Sequence, residues 1–168
     1  MHFLLRRMKI MKKCRKALSV LLSVCMLLSV TAGMSFNAYA KTKDGFVYEV
    51  YGKTATITGY KGKAKKVKIP AKIGKYSVKS IGYGAFFNCE KLTSITIPAS
   101  VKDLFWTSSG YLIFSGCSSL KAVNVSKKNK TYCSVDGVLF NKKKTTIIYY
   151  PEAKKGKSYK IPKSVKTI

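Results

Sequence analysis

Apolar and polar positions recur in this chain as a block, with neither a helical period nor a long simple alternation. The clearest copy is Leu92-x-x-Ile95-x-Ile97-Pro98. Ile95 and Ile97 lie two apart, so in an extended strand both point to one face while Ser94 and Thr96 point to the other. Thr96 is β-branched and favours that backbone. Pro98 ends the strand, because it brings no N–H to a sheet ladder. Upstream, "GYGAFFNC" returns Ala85, Phe86 and Cys89 to the interior on a short helical or irregular turn.

The block repeats. "AFFNCEKLTSITIP" (Ala85–Pro98) aligns with "IFSGCSSLKAVNVS" (Ile113–Ser126), placing Cys89 on Cys117, Leu92 on Leu120, Ile95 on Val123 and Ile97 on Val125, all at one constant offset. A second element recurs as "IPASVKDL" (Ile97–Leu104) and "IPKSVKTI" (Ile161–Ile168), and more loosely as "IPAKIGKYSVKSI" (Ile69–Ile81). One such unit cannot bury its apolar face alone, but stacked neighbours can. Burying Leu92, Ile95 and Ile97 against the next unit is worth roughly 1.5–3 kcal/mol per side chain, before ordering entropy is subtracted.

"YCSVDGVLFNKKKTTIIYYP" (Tyr132–Pro151) breaks the repeat and reads as a β-hairpin. Val138-Leu139-Phe140 run into a turn at Asn141–Lys144, and Thr145–Tyr149 return. The chain stops at Ile168, midway through a repeat signature, so a fragment of a longer protein is expected. At the other end, a basic stretch (Arg6 to Lys16) precedes an apolar run at about Ala17–Met34 and the small residues Ala38-Tyr39-Ala40. That order predicts a secretory signal peptide with its own helix, cleaved after Ala40. The rival is an uncleaved anchor, since the run approaches the ~18 residues needed to span a bilayer.

Ile81-Gly82-x-x-Ala85-Phe86-x-x-Cys89-x-x-Leu92-x-x-Ile95-x-Ile97-Pro98, followed by Val101, resembles the BspA-type leucine-rich repeats of bacterial secreted and surface proteins. The resemblance covers about residues 66–168. It implies a mainly β fold: a leucine-rich-repeat solenoid with short strands, irregular or short helical turns and an inserted hairpin at about 132–151. Residues 41–65 look like the segment that opens such arrays. The family's repeat is about 23 residues, within the usual range for leucine-rich repeats. "VKDLFWTSSGYLIF" (Val101–Phe114) lengthens one unit by about five.

Composition narrows the chemistry. Residues 41–168, the part left once 1–40 are removed, carry 26 lysines, six acids and a net charge of +20. They hold no histidine and no arginine. Without histidine there is no Ser-His or Cys-His pair and no imidazole base. The scattered Cys89, Cys117 and Cys133 lack the close pairing of a zinc module, and nothing suggests a cofactor. Without arginine the planar fork that reads base edges is missing, so specific nucleic-acid recognition is not expected. The membrane is met only in transit, through the signal peptide.

Cys89 and Cys117 hold equivalent positions and read as buried thiols, with a disulfide between stacked units as the alternative. Lysine clusters at 63–66, 127–130, 142–144 and 154–157 fall between strands. They are either solvated loops or an electropositive surface for anionic polymer. Tyr60, Tyr132, Tyr149, Tyr150 and Tyr159 accompany them. Asp136-Gly137 is a turn pair. "NVS" at Asn124 and "NKT" at Asn129 match glycosylation acceptors. The residues left to contact a partner are Lys91, Ser94, Thr96 and Lys102, with Lys142, Lys143 and Lys144 on the hairpin. The resemblance implies a non-catalytic, exported adhesion module, secreted or held at the cell surface, with a protein or glycan partner. The charge supports a different reading, a cationic envelope component bound to anionic wall polymer or membrane.

Overall fold

In the computed structural model, residues 40–105, 112–156 and 158–168 are described. The predicted signal peptide, up to residue 39, lies outside them, as does most of the expected insertion, 106–111. The described residues form twelve short strands: β1 (Lys41–Lys43), β2 (Phe46–Tyr51), β3 (Thr54–Tyr60), β4 (Lys66–Lys68), β5 (Lys72–Ile73), β6 (Tyr76–Ile81), β7 (Ser94–Ile97), β8 (Asp103–Leu104), β9 (Ala122–Val125), β10 (Tyr132–Val135), β11 (Val138–Asn141) and β12 (Ile147–Tyr149). The one helical turn among them is a 3-10 turn at Leu112–Phe114. The fold is mainly β, and no α-helix occurs among the described residues.

The strands form three sheets. β4, β7 and β9 form a parallel sheet in which Lys66 faces Ser94 and Ser94 faces Ala122, so each rung advances the chain by the same amount. The sequence separation is that of the neighbouring Thr93–Lys65 hydrogen bond, 28. β6 and β8 also pair in parallel, Ser80 with Asp103 and Ile81 with Leu104. There the separation, spanned by the Ser80–Asp103 hydrogen bond, is 23. Both offsets span the same turn of chain. The extra length therefore lies after Leu104 and before Phe114, which takes the place of Phe86 one unit on. In the preceding unit the extra residues are the β5–β6 hairpin, where Ile73 pairs with Tyr76. β1, β2 and β3 meander antiparallel, and β3 joins β6 in parallel.

The third sheet is the antiparallel meander β10–β11–β12. The sequence pattern anticipates β11 and the return strand; β10 is an additional strand. Val135 pairs with Val138 across Asp136-Gly137, whose φ values of 48° and 76° are those of a type I′ hairpin turn. β11 is buried on both faces. Leu139 joins the main core, whereas Val138 and Phe140 pack with Ile147 in a second, smaller cluster that Val165 and Tyr159 help to close.

The main core is built from the predicted inward positions. Leu92 is 2% exposed, and Ile95, Ile97, Leu120 and Val123 are 0% exposed. The turn segments stack as well as the strands. Phe86 N–H donates to the Ile113 carbonyl at 3.0 Å, and Asn88 N–H to the Ser115 carbonyl at 2.9 Å. Through their centre runs a column of rings: Phe46–Tyr60 (5.2 Å between centroids), Tyr60–Phe86 (5.6 Å), Phe86–Phe114 (5.8 Å) and Phe114–Tyr149 (5.0 Å). These spacings are in the attractive range for aromatic pairs. The column ties the opening meander, two repeats and the inserted meander into one core.

Candidate binding surface

The parallel ladder β4–β7–β9 sets what this face can present. Val67, Ile95 and Val123 share one rung and point inward, so the residues on either side of them point out. Those outward residues form two rows: Lys66, Ser94, Ala122 and Lys68, Thr96, Asn124. Strands in such a sheet lie about 4.8 Å apart, so each row is a continuous strip of side chains, mostly polar. Lysine ammonium groups, hydroxyls and an amide supply donors and acceptors in register on a backbone that its core holds still. The strip can bind. None of its six side chains is a carboxylate, an imidazole or a thiol.

The structure brings only some of the predicted site residues together. Ser94 and Thr96 sit on this face. Lys91 is exposed on the preceding turn, and Lys102 lies by the other parallel ladder, where its amide donates to the Lys79 carbonyl at 2.8 Å. Lys142, Lys143 and Lys144 form the β11–β12 turn. The Lys142 ammonium there is committed to the fold, donating to the Asn129 carbonyl at 2.6 Å. Lys66, Lys68, Ala122 and Asn124 are the members of the rows that sequence reasoning did not name as partner contacts. The offset that matched Ile95 to Val123 finds all four when applied to Ser94 and Thr96 in both directions.

The thiols are structural in their surroundings. Cys117 is buried and donates to the Phe86 carbonyl at 3.0 Å. Loss of solvent pushes its pKa up to about 12, with smaller contributions from Cys89 and Glu152. Cys89 is half-buried rather than fully buried, and desolvation raises its pKa too. Cys133 lies on β10 and donates to the Asn141 carbonyl at 3.3 Å. All three are free thiols. A raised pKa removes the thiolate that a nucleophile needs.

One other expectation is corrected. Asn129 is not a glycosylation acceptor: it is 1% exposed, its Nδ2 donates to the Pro98 and Val101 carbonyls at 2.9 Å, and its Oδ1 accepts from Thr131 N–H and Tyr132 N–H at 2.8 Å. Asn124 is the exposed member of that pair, on the outer face of β9. Tyr60 and Tyr149 are both in the aromatic column, and Tyr60 also lines a groove with Lys61, Lys63 and Lys91.

Residues 60–168 match the family model described as the BspA-type leucine-rich repeat region, with six copies. The chain belongs to this family. It is similar to a leucine-rich cell surface protein of Faecalibacterium prausnitzii, at 31% identity over 57% of this chain and 26% of that one, TM-score 0.48. A leucine-rich repeat protein of Bacteroides capillosus is 29% identical over 52% of this chain and 65% of that one, TM-score 0.45. The leucine-rich repeat protein of Treponema pallidum is 27% identical over 52% and 39%, TM-score 0.43. The chain spans less than two thirds of each. Comparison with curated proteins finds no match.

Proposed function

We propose that this BspA-type repeat chain is an exported, non-catalytic binding or adhesion module, which recognises an extracellular protein or glycan through the surface of its solenoid. The observation that supports it most is the pair of rows Lys66–Ser94–Ala122 and Lys68–Thr96–Asn124, displayed on a ladder whose other face packs into the core, Val125 at its end being partly buried. In this reading residues 1–40 are the signal peptide, 41–65 open the array, and 66–168 are repeats with the meander inserted. The product is secreted or held at the cell surface.

The test is retention of the purified secreted chain on immobilised extracellular proteins and glycans at roughly 0.15 M and roughly 1 M salt, where the screening length falls from about 8 to about 3 Å. Retention that survives high salt and is lost in a Ser94→Arg/Thr96→Arg variant supports the module. A second reading has its own observation, the net charge of +20 on residues 41–168. Retention on anionic wall polymer that vanishes at high salt and ignores those two substitutions supports it and overturns the first.

A further inference from the structure

A groove of about 310 Å³ lies between the segment leading into β4 and the turn that follows Phe86. Its volume is at the lower end of the range for small ligand sites. Lys61, Lys63 and Lys91 line it, against the single acid Glu90, and no acid occurs between Glu49 and Glu90 in the sequence. Phe87 stands at its rim, 57% exposed, whereas its neighbour Phe86 is fully buried. The floor is fixed by the core: the Tyr60 ring is packed between Phe46 and Phe86, and Leu92 is 2% exposed. The two walls are joined at one end, where Thr93 N–H and Oγ1 donate to the Lys65 carbonyl at 2.6 and 2.8 Å. Among the described residues no backbone hydrogen bond engages Gly62, Lys63 or Ala64. That wall therefore offers main-chain donors and acceptors.

We propose that this groove is a docking site for an acidic, extended segment of a partner protein, with one apolar side chain seated on Phe87, flanking carboxylates on Lys61, Lys63 and Lys91, and main-chain hydrogen bonds to Gly62–Ala64. Charge complementarity selects an anion. The unpaired main-chain groups and the exposed ring select a peptide over a sugar polymer, because an extended peptide offers a backbone to pair and an apolar side chain to bury. The inference deepens the binding-module reading and rests on it, by naming a second contact surface and the class of its ligand.

The test is a titration of the isotope-labelled secreted chain, followed by amide NMR, with a Glu-Glu-Leu-Glu-Glu peptide blocked at both ends. A five-glutamate peptide and polygalacturonate serve as comparators. Saturable shifts confined to residues 61–64, Phe87 and Lys91 are expected. Phe87→Ala should remove the preference for the leucine peptide over the all-glutamate one, and Lys61→Glu/Lys63→Glu should weaken both by about tenfold or more. All three substitutions are outside the buried core and leave it intact. Shifts spread over the lysines at 127–130 and 154–155, or polygalacturonate binding as tightly as the peptide, would overturn the proposal. So would an absence of binding. In that last case, salt-resistant retention that is lost on substituting Ser94 and Thr96 would leave the binding-module reading standing without the groove.

Discussion

The parallel ladder and the inserted meander bury similar side chains by opposite means. On the ladder, each strand's partner lies a constant distance away along the chain, and Ile95 is held by neighbours from two other units. In the meander, Tyr132–Val135, Val138–Asn141 and Ile147–Tyr149 pair with the next strand along the chain. The first region gains its stability from stacking and the second from local turns. A lesion in the ladder should therefore travel between units, and a lesion in the meander should stay near its turn.

The largest expected effect is on the aromatic column. Phe86 is 0% exposed, with Tyr60 on one side and Phe114 on the other. Phe86→Ala should cost about 3–5 kcal/mol, measured by denaturant unfolding. Its loss should also speed hydrogen exchange in the turns on either side. Exchange that quickened only at residue 86 and its sequence neighbours would remove the distinction between the two regions.

Asn129 sits where they meet. Its side chain holds carbonyls from the Pro98–Val101 bend and amides at the start of β10. Asn129→Ala orphans groups that each cost about 1–3 kcal/mol when buried, and partial rehydration should leave a net loss of about 3 kcal/mol. Asn129→Asp keeps the acceptor that serves Thr131 and Tyr132 but turns a buried anionic oxygen toward the Pro98 and Val101 carbonyls, so at neutral pH it should cost at least as much as Ala. A cost smaller than that of Ala would show that β10, and not the bend carbonyls, carries the junction.

How much of this was legible depended on the kind of pairing. A ladder with one constant sequence offset announces itself, so Leu92, Ile95 and Ile97 could be placed inward and Ser94 and Thr96 outward from the sequence. The same offset would have delivered Lys66, Lys68 and Asn124. Asn129 could not be read this way. Its sequence context suggests an exposed acceptor, and its partners at Pro98 and Val101 lie one unit back in a bend that carries no periodic pattern. The groove was equally hidden, since Lys61 and Lys63 meet Lys91 only after the turn segments stack. The repeat places Phe86 inward, but nothing in it marks Phe87 as the exposed ring at the rim of a groove.

A smaller effect is expected at the hairpin turn. Gly137 has φ 76°, and a Cβ there would come within 2.7 Å of the Ala122 Cβ on β9. The left-handed backbone alone costs a non-glycine residue roughly 1–2 kcal/mol, and the contact requires the meander to shift off the ladder. Gly137→Ala should therefore destabilise by about 2 kcal/mol. Because Val123 N–H donates to the Gly137 carbonyl at 2.8 Å, the change should appear in exchange at Val123 as well as in the hairpin. Silence at Val123 would show that the meander rides on the ladder without bracing it.

The smallest effect at neutral pH belongs to the buried thiol of the stacked turns, and its sign can be worked out. Cys117 has an ordinary pKa near 9 when unfolded and one pushed up to about 12 when folded, because burial disfavours the thiolate. Between those values the folded chain holds a proton that the unfolded chain has lost, so stability must fall as pH rises through that window. Below pH 9 the group contributes no slope. Tyr149, also raised by burial above its ordinary value of 10, tilts the curve the same way at the upper end. Cys117→Ala should flatten the decline just above pH 9, where the tyrosine is still mostly protonated in both states, and leave stability at pH 7 changed only by the small cavity and the lost hydrogen bond to the Phe86 carbonyl. If the slope persisted in the variant, the pH dependence of the fold would have to come from Tyr149 and from Cys89, whose pKa burial also raises.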